Sequence, residues 1–145
     1  MTRGADGLIR LPPIDSKAVY LNAFWRWVER LAADDYQGAI DGLHWPKGTS
    51  WTAASLRDRV TTFFGGAERW VVVVPNDRLV RQINDQASHA PRNKDGWAWF
   101  MAQIPLTTKP ADPKNDAIPL MGLATSFFVT RLQAHNVLEF EIFHA

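Results

Sequence analysis

The side chains in this sequence that could do chemistry are few and scattered. His44, His89, His135 and His144 stand outside i, i+4 reach of one another, so no two can share an ion across a helix turn. Glu141 and His144 are three apart, a spacing that turns them to opposite faces of a strand. The chain has no cysteine, which removes thiolate ligands, a cysteine nucleophile and disulfides together. Ser16, Ser50, Ser55, Ser88 and Ser126 lack the G-x-S-x-G context that exposes a nucleophilic serine on a strained turn. Gly65-Gly66 lacks the lysine of a phosphate-cradling loop and reads as a helix stop. Neither a metal nor a cofactor is expected.

The carboxylates and aromatics carry more. Asp34-Asp35 suits a helix start, where acidic groups meet free backbone N–H groups. Asp41 falls near the end of a short helix and can face a cavity. Glu139 and Glu141 share one strand face about 7 Å apart, a pair that binds a basic group, raises one another's pKa or lines a wet sheet. If the domain turns over a substrate, Asp41, Glu141 and His144 are the candidate acid or base. The seven tryptophans suit a core filled with large side chains, but also pocket walls and interfaces. Tyr20, Trp25, Trp97, Trp99 and Phe128 are the candidate wall around a small apolar ligand. Trp45 and Trp51, in or beside a loop, are the candidate anchors for a protein partner.

These residues need a frame to hold them. At 145 residues the chain has the size of a single domain spanning 1–145. Its charge is evenly mixed, with 9 basic and 8 acidic residues over 1–75 and 7 of each over 76–145. That balance leaves no basic face for phosphates, so no nucleic-acid partner is expected. MTRGADGLIRLPPID lacks the apolar core of a signal peptide, and no stretch approaches eighteen apolar residues. The expectation is a cytoplasmic protein without membrane contact.

Residues 1–15 read as an extended arm, because Pro12-Pro13 forbids helix. From Ser16 to Ala33 the apolar residues keep helical spacing: Tyr20, Phe24, Trp27 and Leu31 form one stripe, with Leu21, Trp25, Val28 and Ala32 beside it. So wide a face suits a helix laid across a sheet. A shorter helix over Tyr36–Leu43 and a third from Thr52, with Leu56, Val60, Phe63 and Phe64 on one side, follow. Trp70–Val74 is a β-branched run closed by Pro75. Over Asp77–Gln86 two periods compete, and the alternation of Leu79, Arg81 and Ile83 favours an edge strand. Gln86–Gly96 and Lys109–Asp116 read as loops. Trp97–Leu106 is a strand whose Pro105 predicts an edge or a bulge. Leu120–Leu132 and Val137–His144 form a hairpin turning near Ala134–Asn136. In its second strand Leu138, Phe140 and Ile142 share one face, and Glu139 and Glu141 the other. Helices first and strands afterwards give an α+β fold, with N-terminal helices packed on a curved antiparallel β-sheet.

Trp27…Leu31-Ala-Ala-Asp34-Asp35-Tyr36-Gln-Gly-Ala39 resembles the opening helices of the nuclear-transport-factor-2-like superfamily, a cystatin-like α+β group. Trp97…Pro105-Leu106, Leu123-Ala-Thr-Ser-Phe-Phe128 and Leu138-Glu-Phe-Glu-Ile-Phe-His144 resemble its later strands and the ending of small bacterial members. The resemblance implies a helix-on-cone architecture. It also implies one of two lives: an immunity-type protein that neutralises a toxin, or a ketosteroid-isomerase-like or polyketide-cyclase-like enzyme. Those enzymes use an aspartate with a tyrosine or histidine inside the cone, and their positions have no residue-by-residue match here. With no catalytic constellation visible, the leading expectation is a non-enzymatic protein-binding domain. A toxin is one expected partner; a second copy, packed sheet to sheet as a homodimer, is the other.

Overall fold

Ser16 starts the fold: its hydroxyl accepts the Val19 N–H at 3.2 Å and caps helix α1 (Lys17–Ala32). The structure, a computed structural model, describes residues 7–45, 50–63, 70–108 and 121–144. Tyr20, Ala23, Phe24, Trp27, Val28 and Leu31 are the buried face of α1, as the apolar stripe requires. Asp34 ends the run by turning left-handed at φ 60°. Asp35 then accepts from the Gly38 N–H and caps α2 (Tyr36–Asp41). Thr52 caps α3 (Ala53–Thr62) in the same way, through the Ser55 N–H. Phe64 and the Gly65-Gly66 stop lie outside the described residues, as does the 109–116 loop.

After β1 (Trp70–Val72) comes the main departure from expectation. Asp77–Gln86 is a helix, α4, and not an edge strand. Asn76 accepts the Leu79 N–H at 3.0 Å, and Asp77 sits in the first turn where a carboxylate complements the helix dipole. Helical spacing also gathers Leu79, Val80 and Ile83 on one half-buried side, whereas strand alternation would strand Val80 among polar residues. The expected 86–96 loop contains a short strand, β2 (Ser88–Ala90), before Gly96 turns the chain at φ 89°.

β3 (Trp97–Thr108), β4 (Met121–Leu132) and β5 (His135–His144) form an antiparallel meander. β1 and β2 pair with the other edge of β3, and the five-stranded sheet curls into a half-barrel. The fold is therefore α+β, with helices packed on a curved antiparallel sheet. Pro105 sits in a central strand, not at an edge. Its carbonyl accepts the Val73 N–H at 3.1 Å, but it has no N–H to return, so the β1 ladder stops at Val72. The β4–β5 turn falls at Gln133-Ala134, with Gln133 at φ 55°.

The expected alternation along β5 is broken by a bulge. Phe127 opposes Phe140 while Ser126 opposes Ile142, leaving Glu141 as the extra residue. Phe143, opposite Thr125, is buried as a result.

The inner face carries Ala98, Phe100, Ala102 and Ile104 from β3 and Leu123, Phe127 and Val129 from β4, all buried. Across them α1 lays Tyr20, Phe24 and Trp27. Trp27 meets Phe127 edge-on at 5.2 Å, Phe24 meets Phe100 at 5.9 Å, and Tyr20 meets Phe100 at 5.9 Å. The Trp27 indole N–H donates to the Ala39 carbonyl at 3.0 Å, tying α2 to the same core.

The N-terminal arm closes the open edge of β5. Leu11 exchanges both backbone hydrogen bonds with Asn136, and the Ile9 N–H donates to Gly42. A Cβ on residue 42 would collide with Arg30 and crowd Ile9, so glycine permits this approach.

Replacing Trp27 with alanine removes the largest fully buried side chain and orphans the Ala39 carbonyl. The expected loss is about 3–5 kcal/mol, read from the denaturant midpoint at constant m-value.

Candidate functional site

Because Phe100 and Phe127 point in, their strand neighbours point out. Trp99 and Phe128 are register partners on the outer face, and Trp97 stands over the Phe128 ring at 4.7 Å, edge-on. Trp97 is 37% exposed, unusual for the largest apolar side chain. β5 completes the patch with Glu139, the partner of Phe128, and with Glu141 from the bulge. Glu141 Oε1 accepts from the Trp99 indole at 3.0 Å and from the Ser126 hydroxyl at 2.5 Å, which fixes its orientation. Glu139 Oε2 accepts from His44 Nδ1–H at 2.8 Å and is mostly covered.

A second polar cluster lies at the rim of the inner face. Arg92 clamps Asp15 with two nitrogens, at 2.6 and 2.8 Å. It also donates to the carbonyls of Gly96 and Val129. Tyr20 and Asn136 donate to the same Asp15 oxygen at 2.9 and 3.1 Å, and Arg131 reaches the Pro13 carbonyl. The Arg92 hydrogen bonds hold the Asp15 carboxyl at about 2, well below its usual value, against burial that pushes the other way. Burial and the neighbouring carboxylate push the Tyr20 hydroxyl upwards, and Asp15 makes Arg92 hold its proton more firmly. An always-ionised aspartate and an always-protonated tyrosine do not exchange protons near neutral pH. The cluster anchors the arm, α1 and the β4–β5 hairpin.

The expected pocket wall is not assembled. Tyr20 is inside, beneath α1; Trp25 is half-buried on the flank of α1, donating to Asn84 of α4 at 2.7 Å. Trp97, Trp99 and Phe128 do come together, but on the opposite side of the sheet from Tyr20. The candidate acid–base residues are likewise apart. Asp41 is exposed at the end of α2 and accepts from Gln37, while Glu141 belongs to the outer patch. The His144 side chain lies outside the described residues.

Trp45 and Trp51 converge on Phe140, at 6.2 and 5.0 Å, and are half-buried. The Trp45 indole donates to the Ile40 carbonyl, and Trp51 borders an open groove of about 460 Å³ with Arg59 stacked at 5.8 Å. Among the described residues no three His, Asp or Glu side chains are grouped to hold a metal ion. No described helix is long and apolar enough to cross a membrane.

No protein-family model, curated protein or solved structure matches this chain. The site must be read on its own chemistry.

Two features escape the sequence. Arg92 is 77 residues from Asp15 and lies in a segment with no periodic pattern to announce a partner. The outward indoles have a signal, the alternation Trp97-Ala98-Trp99-Phe100, but both of its faces are apolar.

The Asp15 carboxyl, lowered from 3.8 to about 2, stabilises the fold in its ionised form. That contribution is complete above pH 3.8 and is lost as the pH falls through about 2. Urea midpoints followed down the pH scale are expected to drop across that window. Asp15→Asn flattens the drop and costs roughly 1–3 kcal/mol at neutral pH.

Proposed function

We propose that this chain is a non-enzymatic protein-binding domain that meets its partner with the outer face of its sheet. The observation that carries the reading is the outward placement of Trp97 and Phe128, with Trp97 37% exposed over the Phe128 ring, on the same sheet face as the Glu141 that Trp99 orients. Exposed aromatic side chains fixed by their neighbours supply contact area at little cost in conformational entropy, as interface anchors do. The space between α1 and the sheet, where a ketosteroid-isomerase-like enzyme or a small-molecule receptor keeps its ligand, is filled by Phe24, Trp27, Phe100 and Phe127. That filling favours the binding reading over the small-ligand one.

The resemblance to the immunity-type branch of the nuclear-transport-factor-2-like superfamily supports the same reading and suggests a toxin as the partner. A second copy packed sheet to sheet would use the same patch.

The test pairs the wild-type chain with the Trp97→Ala/Phe128→Ala variant as baits against the soluble proteins of its own cell, with light scattering on both. The expected outcome is a partner, or a dimer, held by the wild type and lost by the variant at an unchanged unfolding midpoint. Identical retention and identical mass for both chains would remove the outer face from the assignment.

A further inference from the structure

The outward positions of β2 to β5 that the structure describes carry two carboxylates, Glu139 and Glu141, and no lysine or arginine. The arginines of these strands and their connections turn elsewhere: Arg92 clamps Asp15, and Arg131 bonds Asn136 and the Pro13 carbonyl. The patch is thus acidic, although the whole chain carries a net charge of +1.

The two carboxylates differ in what they have left to offer. Glu139 is mostly covered and engaged by His44. Glu141 is exposed, and its two hydrogen bonds, from Trp99 and Ser126, converge on one oxygen. Among the described residues no cation pairs with it, and both of its hydrogen bonds leave Oε2 to solvent. A carboxylate accepts at two oxygens, so half of this group's capacity is held ready in a fixed orientation. The indole that steers it belongs to Trp99, in the same row as Phe128, over which Trp97 stands. A carboxylate oxygen without a donor beside aromatic faces is the chemistry that receives a guanidinium, which pairs through its N–H fork and stacks through its plane.

We infer that the partner of this face is a cationic protein segment that places an arginine against Glu141 and the Trp97–Trp99 indoles. The inference rests on the protein-binding reading and names the chemistry of the partner. An ammonium group makes the ion pair without the planar stack, so lysine binds the same place more weakly. An acidic segment is repelled.

The probes are oligo-arginine, oligo-lysine and oligo-glutamate peptides of equal length, titrated into the full chain. The readout is the indole N–H resonances, assigned by single Trp→Phe substitutions. Oligo-arginine is expected to shift Trp97 and Trp99 and to leave buried Trp27 still, with oligo-lysine weaker and oligo-glutamate silent. Glu141→Gln, which keeps an acceptor for Trp99 and Ser126, is expected to weaken oligo-arginine by about tenfold or more. Should that variant misfold, rising ionic strength on the wild type makes the same measurement, because an exposed ion pair is screened.

Affinity indifferent both to Glu141→Gln and to salt overturns the inference, as does equal binding of oligo-glutamate. A silent oligo-arginine titration, with the native partner still lost by Trp97→Ala/Phe128→Ala, overturns the cationic partner alone and leaves the protein-binding reading standing. A sheet-to-sheet dimer that excludes oligo-arginine does the same.

Discussion

Phe100 and Phe127 are register partners at the centre of the sheet, and helix α1 rests on them through Phe24 and Trp27. Strand side chains alternate with period 2, so this single contact decides the face of every other residue on β3 and β4. Ala98, Ala102 and Ile104 must follow Phe100 inward, and Trp97 and Trp99 must go outward. A register slip of one residue would turn Phe100 out of its contacts with Tyr20 and Phe24 and drive two indole N–H groups into the core. The core and the outer patch are therefore two outcomes of one constraint. The aromatic face outside exists because the aromatic face inside is pinned.

A similar economy governs charge. Asp15, Arg92, Arg131 and Asn136 satisfy one another at the rim of the core, where an unpaired charge would be costly. That arrangement draws the arginines nearest the outer patch to the other side of the sheet. Glu141 is left without a cation among the described residues, oriented only by neutral donors. The bulge that releases it also lets Phe143 turn inward beside Phe140, at 4.9 Å. One extra residue serves the core and the surface together.

Much of this architecture is legible in the sequence, and the failures have physical causes. The α1 stripe spans about three turns and outweighs any local ambiguity, as do the long alternations of β3 to β5. α4 misled because its ten residues have no fully buried position, so its apolar side chains define a weak face that suits either period. β2 is three residues of polar sequence whose strand state comes from pairing with β3, not from propensity. Pro105 suggests an edge or a bulge, yet it lies in central β3, where its missing N–H ends the β1 ladder while its pairing with β4 continues. For the site, residue types pointed to the aromatic and acidic groups but not to their grouping. Trp97, Trp99 and Phe128 share a face, Tyr20 lies behind it, and only the choice of inward phenylalanines separates them. The Asp15 clamp depends on residues far apart in sequence, which local pattern does not connect.

The docking of the arm has a consequence for how the chain is made. Asn136 meets Asp15 across 121 residues, and Leu11 seals the β5 edge beside them. Contacts this distant close a very large loop and so form late. During synthesis Leu11 emerges among the first described residues, but the strand that pairs with it is among the last. Until β5 leaves the ribosome, the nascent chain has no completed sheet edge to receive Leu11. The interval between the emergence of Leu11 and that of β5 is thus when this chain is most open to association with the wrong surface.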